Sequence, residues 1–580
     1  MHHYDYGYFE EDQLAKIKDT SLWQRVLQFA SGWWRFIAVA IVLSLLVTGA
    51  GLSLPALLKE GVDNYIMNNS ITTGQRLEGI TRLSLLFAAL ALFAFGAAFA
   101  QALILEWIGQ NIMHDLRCKL YSHLQHLDLD FYYKNPAGKL VTRLTNDITN
   151  LHEMFTSVIV TLFNDFLQLG GILVILFIMN FKLTSLICLI LPLVVLNIIW
   201  FSRLSRFIFR DIRTELARIN GFLQESLSGI SLIQSLSREK DTHNQFSNRN
   251  QTYFAKSINQ IKIFAVFMPS LEFFSTATTA LIIWYGGGRV IAQQMTIGEL
   301  VAFLSYMRLF FRPMRELSQK YSIVQSALAS AERIFQLLDN KANADKTGHL
   351  SPSVDLKGKI RFERVNFGYN QDIPVLREAS FTVYPGETVA LRGPTGIGKS
   401  TIINLLEKFY EPEQGKIYLD DYELTKLSSH WVRRQLGLVM QDVFVLSASL
   451  RDNIVLDTEI DDSRLMEIVK MAKLSSLIDK LPQGWDTSVG EGGLELSAGQ
   501  RQLLALARVL ARDPAILILD EATSNIDTPA EHLLEEAITE TMSERTTIII
   551  AHRPSSLKQA DRILDLKGGK ITEKLGAGFI

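Results

Sequence analysis

The sequence predicts a membrane α-helical domain, six transmembrane helices with long cytoplasmic extensions, followed by an α/β domain. Three observations carry this expectation. Six apolar runs lie before residue 320, each near the ~20 residues that cross ~30 Å of hydrocarbon as a helix. The connections between them alternate short and long. From Gly358 the pattern changes to short β-type runs alternating with helical ones. At 580 residues the chain exceeds what one core supports. Its mean hydropathy of +0.15 is high for a soluble protein, and the apolar excess sits in the first half.

The runs span about Trp34–Leu58, Leu83–Ile108, Ser157–Met179, Leu183–Phe201, Phe264–Tyr285 and Ile297–Met314. Any one of them reads equally well as a buried soluble helix; six in series do not. A tight polar turn at Asn180–Lys182 joins the third to the fourth. The connections after the second and fourth are long, helical in pattern and rich in charge. They carry Arg117, Lys119, Lys134, Lys139 and Arg143, then Arg203, Arg206, Arg210, Arg213, Arg218, Arg238, Lys240 and Arg249. The charges nearest the membrane ends place the long connections, both termini and the C-terminal domain in the cytoplasm. Met1–Thr20 lacks the basic start and short apolar core of a cleaved signal peptide. His2 and His3 read as an inert pair at a terminus.

A net charge of -2 excludes a general nucleic-acid binder, which needs a basic surface. Cys118 and Cys188 are far apart and form neither a disulfide framework nor a metal cluster. The sixth run continues as a helical pattern to about Leu338. The expected division is therefore 1–33 as N-terminal segment and elbow helix, 34–338 as transmembrane domain, 339–357 as linker and 358–580 as the α/β domain.

Within that last domain, Gly393-Pro394-Thr395-Gly396-Ile397-Gly398-Lys399-Ser400 follows the strand Thr388–Leu391 and enters a helix at Thr401. This is the P-loop pattern in its proper context. Glycines let backbone N–H groups converge on phosphate, and a helix N-terminus adds partial positive charge. Lys399 is expected to reach the β- and γ-phosphates of ATP, and Ser400 to ligate Mg²⁺. A second apolar strand, Ile516–Leu519, ends in Asp520-Glu521. A carboxylate at the end of a buried strand is costly unless it meets a charge. Asp520 is expected in the Mg²⁺ shell, and Glu521 is expected to polarise the attacking water.

Leu496-Ser497-Ala498-Gly499-Gln500, shortly before that strand, resembles the signature of ABC ATPases. Other positions of the family fall in order. Tyr369 resembles the aromatic that stacks on adenine. Gln441 resembles the Q-loop glutamine, a Mg²⁺ and water ligand. Val489–Gly493 resembles the X-loop of exporters, Ser524–Asp527 the D-loop and His552 the histidine that contacts the γ-phosphate. In the first half, Phe131-Tyr132 with Gly138, Arg143, Asn146 and Asp147 resembles the first intracellular loop of ABC exporters. Glu225–Ile230 with Gln234 resembles the second.

The resemblance implies a half-transporter whose Ser497, Gly499 and Gln500 face the ATP of a second subunit, so that one chain supplies half of each of two sites. It implies short coupling helices in the long loops, the second reaching the partner's ATPase domain. It implies alternating access, with ATP favouring the closed dimer. The chain departs from the family at Ala498 (LSAGQ for LSGGQ), at Gly492, where Arg is common, and at Asn525-Ile526. In asymmetric exporters the subunit with an intact Walker B glutamate often carries the altered signature. That resemblance implies a heterodimer; a homodimer tolerating one alanine is the alternative.

Asp165, Glu272 and Arg308 fall near mid-depth of their segments. Unpaired charge there is expensive. Two readings stand side by side: a polar cavity for a small amphipathic substrate, or pairing among the helices, such as Glu272 with Arg308. Pro269 is expected to kink its segment. Phe163, Phe267, Phe273 and Phe274 suit a hydrophobic ligand or ordinary packing. An importer and an ATP-gated channel are the competing classes. The fused order disfavours the first, and Glu521 with His552 the second. Lipid flipping and drug efflux are both open.

Overall fold

The structure, a computed structural model, describes residues 20–340, 348, 350–353, 356–369, 373–520, 528–543, 545–550 and 557–575. It divides into two compact units, Met1–Gln125 with Lys134–Lys341, and His126–Tyr133 with Ala342–Ile580.

The first unit is helical, as lipid demands, because a helix satisfies its own backbone polar groups. Among the described residues, five stretches are long and apolar enough to span a bilayer: Ser21–Ile66, Thr73–Gln125, Ala137–Met179, Phe181–Ser228 and Glu239–Ile291. The sixth expected span opens the helix Ile297–Asp339. It falls short of the others because Glu299, Arg308 and Arg312 interrupt its apolar run. The helix Thr73–Gln125 has 53 residues, so at 1.5 Å per residue it is about 80 Å long, well beyond the bilayer. The turn at Asn180 forms as expected. Its side chain caps the next helix by accepting from the Leu183 N–H at 3.0 Å.

The ends of the first and last long helices are tied together. Thr296 and Glu299 form a capping box. Asp63 accepts from the Gly298 N–H at 2.8 Å and from the Thr296 hydroxyl at 2.7 Å. Lys59 meets Glu299 at 3.1 Å. Gly298 has no room for a side chain, since a Cβ there would lie 2.5 Å from the Lys59 carbonyl oxygen.

Further along the last helix, Lys320 pairs with Asp165 at 2.5 Å and with Glu316 at 3.3 Å, and Lys320 and Asp165 are both buried. Arg333 holds the buried Asp147 at 2.6 and 3.0 Å. Its last residue, Asp339, takes both guanidinium nitrogens of Arg25 at 2.7 Å. Asp165 therefore has a partner that local sequence did not announce. Arg308 is exposed and makes no ion pair among the described residues, so the expected Glu272–Arg308 pair does not form. Phe267 takes the packing alternative: it stacks on Phe201 with centroids 3.7 Å apart in the core, whereas Phe273 is 68% exposed.

The second unit contains two larger sheets. Its strands are β1 Ile360–Phe367, β2 Leu376–Val383, β3 Thr388–Arg392, β4 Gln414–Leu419, β5 Tyr422–Glu423, β6 Leu436–Val439, β7 Ala448–Ser449, β8 Ser488–Val489, β9 Ile516–Asp520, β10 Thr546–Ile550, β11 Arg562–Lys567 and β12 Lys570–Leu575. One sheet is antiparallel, in the order β2-β1-β4-β5. The other runs β12-β11-β3-β10-β9-β6, parallel except for β12. Its central strands are buried on both faces, which is why they read as unbroken apolar runs. Ala390, Val439, Leu517, Leu519 and Ile549 pack into one core. Val389, Leu391, Ile516, Ile518 and Ile548 pack into the other.

Replacing Asp165 by Asn leaves Lys320 buried with only Glu316 beside it. This is expected to cost about 3 kcal/mol, the low end for breaking a buried pair, and to lower the Tm of the detergent-purified protein. Asp165→Leu combined with Lys320→Leu is expected to recover most of the loss.

Candidate functional site

Four parallel neighbours, β3, β10, β9 and β6, end at one edge of the main sheet. The register pairs Leu391 of β3 with Ile550 of β10, Ile550 with Asp520 of β9, and Leu519 of β9 with Val439 of β6. The loops that leave this edge carry the expected site residues. The edge beyond the carboxyl ends of parallel strands is where α/β sheets take ligands.

The turn after β3 is shaped by its glycines. Gly396 and Gly398 have φ of +81° and +112°. A Cβ on Gly398 would lie 2.8 Å from Val375, and one on Gly393 would lie 2.8 Å from the Leu566 carbonyl oxygen. Gly398 caps the helix Lys399–Leu406, and the first bond of that helix runs from the Ile402 N–H to the Gly398 carbonyl. The N–H groups of Lys399, Ser400 and Thr401 thus have no intrahelical acceptor and point to the edge. Pro394, Thr395, Gly396 and Ser400 are exposed, Ile397 is half-buried and Thr401 is buried. Lys399 is buried and donates to the Gly393 carbonyl at 2.7 Å, folded back along its own loop.

Tyr369 stands beside this helix. Its hydroxyl accepts from Asn404 at 3.0 Å and lies 3.2 Å from the Thr401 hydroxyl. The ring packs edge-on to Tyr410, with centroids 5.1 Å apart. Burial, and then the neighbouring Asp130 carboxylate, push the Tyr410 hydroxyl up to about 12. Asp130 belongs to the segment His126–Tyr133, which the first long connection contributes to this unit. At the far end of the P-loop helix, Glu407 is buried. Burial pushes its carboxyl from 4.5 up to about 7, against the opposing pull of Arg433.

Asp520 closes β9, two strands from the P-loop strand, or about 10 Å at ordinary strand spacing. Gln441 is exposed, two residues beyond β6. The edge therefore brings Lys399, Ser400, Asp520 and Gln441 to one side of the sheet. Glu521, Ser524–Asp527 and His552 lie outside the described residues.

The signature opens the helix Ala498–Arg512. Ser497 accepts from the Gln500 N–H at 3.3 Å, and Gln500 accepts from the Ser497 N–H at 2.9 Å. The Arg501 N–H is taken by the Ser497 carbonyl at 2.9 Å. Both polar side chains are thus used in capping, and the N–H groups of Ala498 and Gly499 are left at the helix start. Ala498 is helical and is not among the residues of positive φ. The methyl group of Ala498 therefore adds no backbone strain. An alanine stabilises a helix by about 1 kcal/mol over glycine. Gly492 has a φ of +82°, which disfavours the more common arginine.

Two side chains that sequence reasoning missed hold the Q-loop. Gln502 donates to the Met440 and Gln441 carbonyls at 3.1 and 2.7 Å. Arg508 donates to the Phe444 and Asn453 carbonyls at 2.6 and 2.8 Å. Both lie in the signature helix, six residues apart. The only available signal was a glutamine and an arginine inside an otherwise apolar helix face. Q-loop, X-loop and signature enclose a cleft of 560 Å³ lined by Gln441, Phe444, Glu491, Glu495 and Arg501 among others.

The family profile described as ABC transporter transmembrane region matches residues 37–314. The one described as ABC transporter matches residues 376–524. The uncharacterized ABC transporter ATP-binding protein YknV of Bacillus subtilis (strain 168) is 33% identical over 571 residues, covering 98% of this chain and 94% of the relative. YfiC of the same organism is 31% identical over 574 residues, covering 97% and 92%. A Staphylococcus aureus (strain bovine RF122 / ET3-1) protein with the provisional name multidrug export ATP-binding/permease protein SAB1799c is 33% identical over 559 residues, covering 95% and 96%.

Two measurements check this geometry. Gly398→Ala, strained at φ +112° and blocked by Val375, is expected to weaken binding of a fluorescent ATP analogue at least about tenfold. Gly396→Ala, with nothing within 4 Å, is expected to weaken it less. Glu407 binds its proton more tightly folded than unfolded. The stability it contributes is complete below pH 4.5 and lost as pH rises through about 7. Glu407→Gln is therefore expected to raise the Tm relative to the parent at pH 8, by at most about 3 kcal/mol of stability, and to give no gain at pH 4.5.

Proposed function

Since this chain belongs to the ABC transporters, an exporter-type half-transporter with membrane region and ATPase domain on one polypeptide, we propose that it hydrolyses ATP to drive a small amphipathic substrate outward across the lipid bilayer. The observation that carries this reading is the common edge of β3, β9 and β6, to which Lys399, Asp520 and Gln441 all come.

The residues fit ATP and Mg²⁺. The Gly-rich turn with φ of +81° and +112° leaves a cradle that a Cβ would fill, and a helix N-terminus opens onto it. Lys399, which donates to the Gly393 carbonyl at 2.7 Å, is positioned to turn from that carbonyl to phosphate oxygens. Ser400, Gln441 and Asp520 supply the hard oxygen ligands that Mg²⁺ prefers. Mg²⁺ when bound neutralises phosphate charge. In this reading Tyr369 stacks on the adenine, Glu521 orients the attacking water and His552 steadies the γ-phosphate.

The assembly is a dimer. Capping leaves the Ala498 and Gly499 N–H groups free at the start of the signature helix, and we assign them to the ATP held by a second subunit. The short helix Ile230–Ser235 in the second long connection exposes Ile230 and Leu232 by 44% and 61%, with Leu227 and Leu236 alongside. It is the surface we assign to the partner's ATPase domain. Ser497–Ala498–Gly499 with an intact Glu521 favours a heterodimer. The strain-free Ala498 favours the second reading, a homodimer. The multidrug export named for the Staphylococcus aureus relative makes amphipathic drugs the first substrates to try.

The chain purified alone is expected to be stable with little ATPase activity, and to gain it on co-expression with a neighbouring half-transporter. Glu521→Gln is expected to remove at least about 100-fold of that activity, as loss of a general base does. Strong Glu521-dependent turnover by the lone chain establishes the homodimer instead. Equal turnover with and without an intact Glu521 overturns the ATPase assignment.

A further inference from the structure

We infer that Gln502 is a positioning residue for Gln441. It fixes the Mg²⁺-side glutamine of one site to the helix whose start serves the other. The inference rests on the ATPase reading above.

Gln502 is 5% exposed and uses its amide nitrogen on two consecutive carbonyls, Met440 at 3.1 Å and Gln441 at 2.7 Å. Both acceptors are carbonyl oxygens, so the nitrogen must face them. The amide oxygen is consequently left buried without a partner. Such a group loses its hydration without compensation, and an apolar residue of the same length avoids the cost. The residue is therefore poorly explained by helix stability alone. What it provides is a rigid two-point hold on the backbone at the position from which the Gln441 side chain projects.

The other end of the same loop is held independently. Asn453 is fully buried and bonds both the N–H and the carbonyl of Leu446 at 2.9 Å. Arg508 bonds Asn453 at 2.7 Å and the Phe444 carbonyl at 2.6 Å. The second anchor carries residues 444–446, whereas Gln502 reaches the carbonyls of residues 440 and 441. The Gln441 backbone is therefore tied to the signature helix by the Gln502 side chain. Loss of Gln502 removes that tie and leaves the second anchor in place.

The test uses the full chain, with its partner where one is required, and Gln502→Met, which keeps the length and loses the donors. Binding of a fluorescent ATP analogue is titrated against Mg²⁺, and turnover is measured on the same samples. Gln502→Met is expected to raise the half-saturating Mg²⁺ about fivefold while affinity without Mg²⁺ stays within about twofold, and to lower kcat with little change in ATP KM. In a Gln441→Ala background it is expected to add nothing, because it acts through that residue. The same fold-loss in both backgrounds, or a lower Tm with an unchanged Mg²⁺ requirement, overturns the inference. Absent turnover in the parent protein sinks the ATPase reading, and the Mg²⁺ titration still decides Gln502. Should Gln502→Met not fold, Gln502→Glu presents acceptors to the same two carbonyls and is read in the same way.

Discussion

The parallel register of β3, β10, β9 and β6 is the constraint on which the catalytic half rests. Parallel strands share one direction, so every loop leaving their carboxyl ends emerges on the same side. Residues distant in sequence, Lys399 after β3, Gln441 after β6 and Asp520 on β9, are brought to the same side of the sheet by that register. The register is in turn secured by burial. Alternate residues of β9 enter two different cores, so a slip by one residue exchanges the contents of both. Thr546–Ile550 is buried throughout and sits between the strand that leads to the Gly-rich turn and the strand that ends in Asp520. The chemistry thus inherits its geometry from the most apolar part of the domain.

The signature helix extends this logic across two sites. Ser497 and Gln500 satisfy each other, which holds the first turn rigid and directs backbone donors, not side chains, outward. That arrangement places little demand on the side chains of Ala498 and Gly499, the third and fourth signature positions, and depends on the Ser497–Gln500 cap. One turn further, Gln502 and Arg508 reach the loop after β6. A displacement of this helix is therefore felt at Gln441 directly, through hydrogen bonds about 3 Å long. ATP hydrolysis requires such coupling if the two halves of a composite site are to engage together.

The degree to which the sequence was legible follows from distance along the chain. The strand–turn–helix at Gly393–Ser400, the strand ending in Asp520 and the turn at Asn180 are local arrangements, and the structure has each within a residue or two of its expected place. The membrane-domain ion pairs were not legible. Asp165 finds Lys320 and Asp147 finds Arg333 across more than 150 residues, which no local pattern encodes. The same holds for Gln502. A glutamine facing a core reads as an anomaly until the carbonyls it meets are known. The last span was harder to read by composition for a physical reason: Glu299, Arg308 and Arg312 fall within its apolar run, and further along the same helix Lys320 and Arg333 bind the third stretch and Asp339 the elbow helix.

Ala498 changes meaning once its conformation is known. As a departure from LSGGQ it argues for an impaired signature through restricted backbone. In the structure it occupies the first position of a helix, where φ is negative and alanine is the better helix former. Backbone strain is thereby removed from the argument for an asymmetric pair, and only the reach of one methyl group toward a facing phosphate is left. Gly492 moves the same way, since its φ of +82° calls for glycine on local grounds. The case for unequal subunits therefore rests on how closely phosphate must approach Ala498. In the proposed dimer that distance would be set by the second subunit's P-loop, and it would fall on both sites of a homodimer but on one alone of a heterodimer.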